Sequence, residues 1–95
     1  MATDLTEMQR IVASYINGIG DGQYHVQSSS DGQEVCLGLE VLVRLTYGSD
    51  GYLTVEVVDE MMQAVNAHLL DREHRYRLPL VHPNLFELLL AFFTP

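Results

Sequence analysis

Basic residues are scarce in this sequence: five arginines and no lysine stand against 13 acidic residues in 95, so the formal net charge is −8. No run of basic side chains could follow a phosphate backbone, which argues against direct nucleic-acid binding. Cysteine is scarce too, because Cys36 is the only one. A single thiol excludes an internal disulfide framework and a cysteine-rich zinc site, as expected in a reducing compartment.

Long apolar runs are also missing. No stretch approaches the about 20 residues of a membrane-spanning helix, and residues 1–4 lack the basic and apolar regions of a signal peptide. We therefore expect a cytoplasmic protein that does not contact membranes. Apolar residues nevertheless make up 47% of the chain and charged residues 19%, a balance that supports a packed core. The length fits one domain over residues 1–95.

Residues 23–57 alternate apolar and polar side chains with a period of two, which indicates half-buried strands. Turn-forming residues interrupt the alternation at 28–32 and at 48–51. This pattern predicts a three-stranded antiparallel meander over 23–27, 35–47 and 52–57, with the middle strand longest. A helix over 34–47 is the alternative, but helical spacing would scatter the same side chains around the whole cylinder. The buried face of the middle strand is expected to include Leu39, Val41 and Val43.

Three other segments repeat apolar residues at helical spacing. They predict an N-terminal helix between Leu5 and Ile19, a middle helix over 59–69, and a short apolar C-terminal helix over 84–93. Residues 74–81 suit a fourth strand, which Pro79 restricts to a sheet edge because proline cannot donate to the ladder. The expected fold is therefore α+β, with the meander packed against the helices.

No catalytic constellation is evident in the sequence. Cys36 has no basic neighbour or helix N-terminus in sequence to lower its thiol pKa, so we expect a buried structural cysteine. His68 and His74 are six residues apart, which misses the helical spacing that aligns two ligands. With Asp71 they would still supply fewer ligands than zinc usually takes. We therefore predict no enzyme activity, no cofactor and no metal.

The C-terminal helix carries more apolar surface than a helix on a small sheet needs. Eight of the nine residues from Leu85 to Phe93 are apolar, and Glu87 is the exception, whereas a stripe about 100° wide would cover a core. Counting about 100° per residue from Glu87, the core-facing set is Leu85, Leu89 and Phe92. The set left for an intermolecular contact is Phe86, Leu88 and Leu90. The alternative is a helix buried between the sheet and another helix.

These features favour a non-enzymatic protein-binding module that acts as an inhibitor, an adaptor or an assembly subunit. A strong negative charge speeds association with a partner that has a basic surface, although solubility is the simpler explanation of the charge. The acidic residues assigned to partner contact are Asp50, Glu56, Asp59 and Glu60. A homodimer through the C-terminal helix is also expected. One version of this hypothesis is competition with nucleic acid for a basic groove. Small acidic inhibitors encoded by phages act in this way as a class, so by composition alone a phage origin is a further hypothesis.

The alternative belongs to a different class. A small enzyme, or a ligand- or metal-binding domain, would form its site between subunits in the 68–82 segment. The polar side chains available there are His68, Asp71, His74 and His82.

Overall fold

Five antiparallel strands form one sheet in which each strand pairs with the next along the chain. The computed structural model describes residues 5–93. The strands are β1 (Tyr24–Ser28), β2 (Gly32–Leu37), β3 (Glu40–Tyr47), β4 (Tyr52–Val57) and β5 (Arg75–Pro79). The helices are α1 (Leu5–Asn17), α2 (Glu60–Val65) and α3 (Leu85–Phe93), and a single 3-10 turn covers Ile19–Gly22. The predicted α+β class is confirmed, and the sheet has more strands than the predicted meander.

The predicted middle strand over 35–47 is wrong, because the chain reverses inside it. β2 ends at Leu37, Gly38 and Leu39 form a two-residue turn, and β3 begins at Glu40. Gly38 has a φ of 63°, the conformation that a two-residue hairpin turn of type II′ requires at its first central position. Leu39 is therefore fully exposed at the hairpin tip rather than buried.

A bulge restores the alternation after this turn. Val43 pairs with Val35 and Val41 pairs with Cys36, so Leu42 is an extra residue in β3. The turn shifts the side-chain alternation by one position and the bulge shifts it back. Val41 consequently lies on the opposite side of the sheet from Val43, which contradicts the predicted shared face. Only Val43 of the three predicted face residues is buried in the core.

Helices α1 and α3 cover one face of the sheet. The covered face contributes the centre of the core through Val35, Val43, Leu45, Leu53, Val55, Val57 and Leu78. The opposite face carries polar side chains that are exposed or half-buried, among them Glu34, Arg44, Thr46, Thr54, Glu56 and Arg77. None of the helices in residues 5–93 has the length and hydrophobicity needed to cross a bilayer.

The remaining predicted elements are present with altered limits. β5 lies at the sheet edge, as predicted, but it covers Arg75–Pro79 rather than the predicted 74–81. α2 is shorter than the predicted helix because it ends at Val65. The Asn66 side chain donates to the Met62 backbone carbonyl at 2.9 Å, and turns follow as far as Leu69.

Candidate functional site

An apolar groove lies at one end of the sheet, where α2, the end of α3 and the start of β1 meet. Its volume is about 180 Å³, and an apolar cavity of about 150 Å³ is enough to hold a benzene molecule. The groove is therefore large enough for one large side chain. We call it the α2 groove, and its lining is Tyr24, Asp59, Met61, Met62, Val65, Asn66, Phe92 and Phe93.

Hydrogen bonds and the packing of Met62 against the core hold α2 at this position. The helix has no buried residue. The backbone N–H groups of Val58 and Asp59 both donate to the Leu42 carbonyl, at 2.8 and 3.1 Å, and attach the start of α2 to β3. The Asp59 carboxylate accepts from the Met62 backbone N–H at 3.0 Å and caps the helix N-terminus. The Gln63 side chain donates to the Val57 carbonyl at 2.8 Å.

The floor of the groove belongs to the core, whereas its helical rim is exposed. Phe92 and Phe93 are buried, and the Phe93 ring lies 5.3 Å from that of Tyr24 between centroids. On α2, by contrast, the exposed fraction is 77% for Met61 and 48% for Val65. Methionine rims suit adaptable binding surfaces because the thioether side chain is flexible and polarisable.

Apolar surface continues from the groove to the β2–β3 hairpin tip. Leu37 is the cross-strand partner of Tyr24 and is 44% exposed. Leu39 is fully exposed in the adjacent turn. The groove and these two leucines make one end of the sheet apolar.

Three carboxylates stand beside this apolar end. Asp59 lines the groove, Glu60 begins α2, and Glu40 pairs with Leu37 across the hairpin. Within residues 5–93, none of the three forms an ion pair with an arginine. We call Glu40, Asp59 and Glu60 the acidic rim.

The arginines of the sheet are paired elsewhere. On the open face, Arg44 bridges Glu34 and Glu56 at 3.3 and 3.5 Å, and Arg77 contacts Asp50 at 2.7 Å. The Gln27 amide and the Arg44 guanidinium lower the pKa of the Glu34 carboxyl group.

The structure thus separates the four acidic residues predicted to contact a partner. Asp50 and Glu56 pair with arginines on the open sheet face, whereas Asp59 and Glu60 belong to the acidic rim.

The predicted C-terminal surface is partly used within the chain. Leu85, Leu89 and Phe92 are buried, which confirms the predicted core-facing set, and Phe93 is buried with them. Of the predicted contact set, Phe86, Leu88 and Leu90 are each half-buried against the core.

Tyrosine rings on α1, β1 and β5 contact the phenylalanine rings of α3. The Phe86 ring lies 4.9 Å from that of Tyr15 on α1, and the Phe92 ring lies 5.8 Å from that of Tyr76 on β5. A homodimer contact through Phe86, Leu88 and Leu90 stays a prediction, which sedimentation of the wild type against Phe86→Ser/Leu90→Glu would test.

The enzymatic or ligand-binding alternative requires polar side chains of the 68–82 segment to lie together, and only two of the four do so. Asp71 and His74 line a shallow depression next to α2, and His68 and His82 lie outside its lining. The Asp71 carboxylate accepts hydrogen bonds from the backbone N–H groups of Glu73 and Arg75. The bond from Arg75 is the main reason why the pKa of the Asp71 carboxyl group is lowered. The His82 Nδ1 atom accepts a backbone N–H at 3.0 Å. No group of three or more metal-ligating side chains occurs in the part of the chain that the structure describes.

Cys36 is buried, as predicted. Burial and, to a smaller extent, the charge of Glu34 raise the pKa of its thiol. The thiol is therefore protonated near neutral pH and suits a structural position.

Comparison with protein-family models, with curated proteins and with solved structures gives no match to this chain.

Proposed function

We propose that this chain is a non-enzymatic protein-binding module whose α2 groove and acidic rim contact the partner. The observation that carries the proposal is the position of exposed apolar side chains beside three carboxylates that form no ion pair with any arginine of the described range 5–93. Binding a macromolecule in this way can inhibit it, recruit it or add it to an assembly, and the same surface serves each of these roles.

Burial of the exposed side chains supplies the affinity in this proposal. A methionine, valine or leucine side chain contributes about 1.5–3 kcal/mol when it is fully buried. Met61, Val65 and Leu39 together offer several kcal/mol of that kind, against an association cost of about 4–15 kcal/mol. A groove of this size therefore suits a small hot spot within a larger contact.

The negative charge raises the association rate and favours partners with a basic surface. A net charge of −8 attracts a basic surface over a distance set by the salt concentration. Competition with nucleic acid for such a surface is the most specific version of the proposal, and the acidic rim supports it.

Affinity capture tests the proposal with a groove variant and a control variant outside the groove. Met61→Ser/Val65→Ser removes apolar side chains from the rim of the groove. Val81→Ser removes an equally exposed apolar side chain, 83% exposed against 77% for Met61, that does not line the groove. Mass spectrometry should identify one partner with the wild type and with Val81→Ser, and not with the groove variant.

Circular dichroism must show that the wild type and each variant, Phe86→Ser/Leu90→Glu included, are folded. Retention of the partner by the groove variant would contradict the proposal, and its loss only with Phe86→Ser/Leu90→Glu would transfer the contact to α3.

A further inference from the structure

We infer that the partner segment in the α2 groove carries one large apolar side chain with arginine or lysine next to it. This inference rests on the proposed function and specifies the chemistry of the partner. Two features of the groove lead to it, its size and its charge.

The size of the groove suits a single large apolar side chain of the partner, which we call the anchor. A volume of about 180 Å³ is close to that of an apolar cavity that holds one benzene ring. The buried rings of Phe92 and Phe93 form a hydrophobic floor, and Met61 can move to fit an inserted side chain because it is exposed and flexible. A phenylalanine or leucine therefore matches the groove better than a polar residue does.

The acidic rim selects basic neighbours for that anchor. Asp59 lies in the groove lining, and Glu60 follows it on α2. Glu40 is two strands away from Tyr24, since Leu37 pairs with both residues. At about 4.8 Å per strand, this places the Glu40 backbone about 10 Å from that of Tyr24. Cationic side chains close to a seated anchor would be within reach of all three carboxylates.

The same charges disfavour a second copy of this chain as the occupant. Two copies joined through this end would bring two acidic rims together, and like charges at an interface oppose association. The arginines on the open sheet face already have carboxylate partners, because Arg44 contacts Glu56 and Arg77 contacts Asp50. Charge complementarity therefore favours a basic protein segment.

A peptide titration tests this inference. The probe is a fluorescein-labelled nonapeptide with a central phenylalanine and two arginines on each side, and the readout is fluorescence anisotropy at low salt. Two control peptides replace the phenylalanine by serine or the arginines by glutamate. We expect the serine peptide to bind about tenfold more weakly or worse, because the anchor is lost. The glutamate peptide should not bind.

Protein variants provide the complementary test. Met61→Ser/Val65→Ser should weaken the phenylalanine peptide about tenfold. Glu40→Gln/Glu60→Gln should weaken it about threefold to tenfold, because exposed charge pairs are individually weak. The control Glu7→Gln/Glu87→Gln removes the same number of charges from α1 and α3 and should change the affinity little.

The outcomes separate this inference from the proposed function. Equal binding of the serine or glutamate peptide overturns the inference. If no peptide binds but the captured partner is still lost with Met61→Ser/Val65→Ser, the inference fails and the proposed function stands. If that variant also retains the partner, both fail. A dimer of the wild type that the groove variant abolishes in sedimentation would identify a second copy as the occupant and overturn the inference.

Discussion

Two apolar residues of one alternating stretch, Val43 and Leu39, occupy opposite environments. Val43 is fully buried opposite Val35, whereas Leu39 is fully exposed at the hairpin tip. The difference arises from one turn and one bulge, and not from the hydrophobicity of the residues. Their contributions to stability should therefore differ strongly.

Alanine substitution at these two positions measures that difference. Val43→Ala should lower the free energy of unfolding by about 1–3 kcal/mol, since it removes buried methyl groups and leaves a cavity. Leu39→Ala should change it by less than about 0.5 kcal/mol, since the side chain is solvated. Urea denaturation of both variants provides the values. Similar losses at the two sites would show that Leu39 is covered in solution.

A buried polar bridge joins the sheet to α1. The Tyr47 hydroxyl donates to Gln33 Oε1 at 2.6 Å, and Gln33 Nε2 donates to the Gln9 backbone carbonyl at 2.9 Å. Both side chains are buried. Burial raises the pKa of Tyr47 well above its ordinary value, so the hydroxyl stays protonated and able to donate.

Tyr47→Phe should destabilise the protein at neutral pH and much less at alkaline pH. The variant leaves the buried Gln33 oxygen without its donor, which costs about 1–3 kcal/mol. In the wild type the folded pKa of Tyr47 is raised, so its stabilising effect is complete below the unfolded pKa of about 10 and is lost as the pH rises further. The loss amounts to about 1.4 kcal/mol per pH unit above that value.

Urea denaturation of both proteins at neutral pH and near pH 11 checks this prediction. The Cys36 thiol is present in both proteins, so its own alkaline effect cancels in the comparison. A difference in unfolding free energy that does not narrow with pH would contradict the burial of the hydroxyl.

At the scale of elements, most of the secondary structure follows from local sequence. Helical spacing and strand alternation predict α1, α3 and β4, and Pro79 predicts that β5 lies at an edge. The same patterns do not predict the β2–β3 hairpin. The turn at Gly38 and the bulge at Leu42 each shift the side-chain alternation by one position, so the sequence still alternates as one long strand would. A glycine after a run of strand residues was the available sign of a turn.

The candidate site is less predictable than the fold. Asp59 and Glu60 could be identified from the sequence as surface carboxylates near a helix start. Met61 and Val65 could not be assigned to solvent, because a helix of six residues has apolar positions on more than one side. The contact of Tyr24 with Phe93 joins residues that are far apart in the sequence. Only sheet register and helix packing determine such a contact.

Two glycine variants separate backbone conformation from steric clash in the β2–β3 hairpin. Gly38→Ala should cost about 1–2 kcal/mol, because its φ is 63° while no heavy atom lies within 4 Å of an added Cβ. Gly32→Ala should cost more, because its Cβ would lie 2.1 Å from the Leu45 carbonyl oxygen. Thermal or urea denaturation gives both values. A larger loss at Gly38 than at Gly32 would contradict the observed hairpin geometry.

At the scale of the whole molecule, charge and hydrophobicity are distributed unequally. The open sheet face balances arginines against carboxylates, as the Arg44 bridge between Glu34 and Glu56 illustrates. The groove end combines exposed apolar side chains with the acidic rim. In the proposed function, this end of the molecule, rather than its whole surface, contacts a basic partner.

Amide chemical-shift mapping in solution tests this account most directly. The labelled protein is titrated with the partner recovered by capture, at low salt and again at high salt. The account predicts the largest shifts at 24, 37–40, 59–66 and 92–93, with weaker binding at high salt because the acidic rim is screened. Shifts confined to 10–15 and 86–90, with the groove amides unchanged, would place the partner between α1 and α3 and contradict the account.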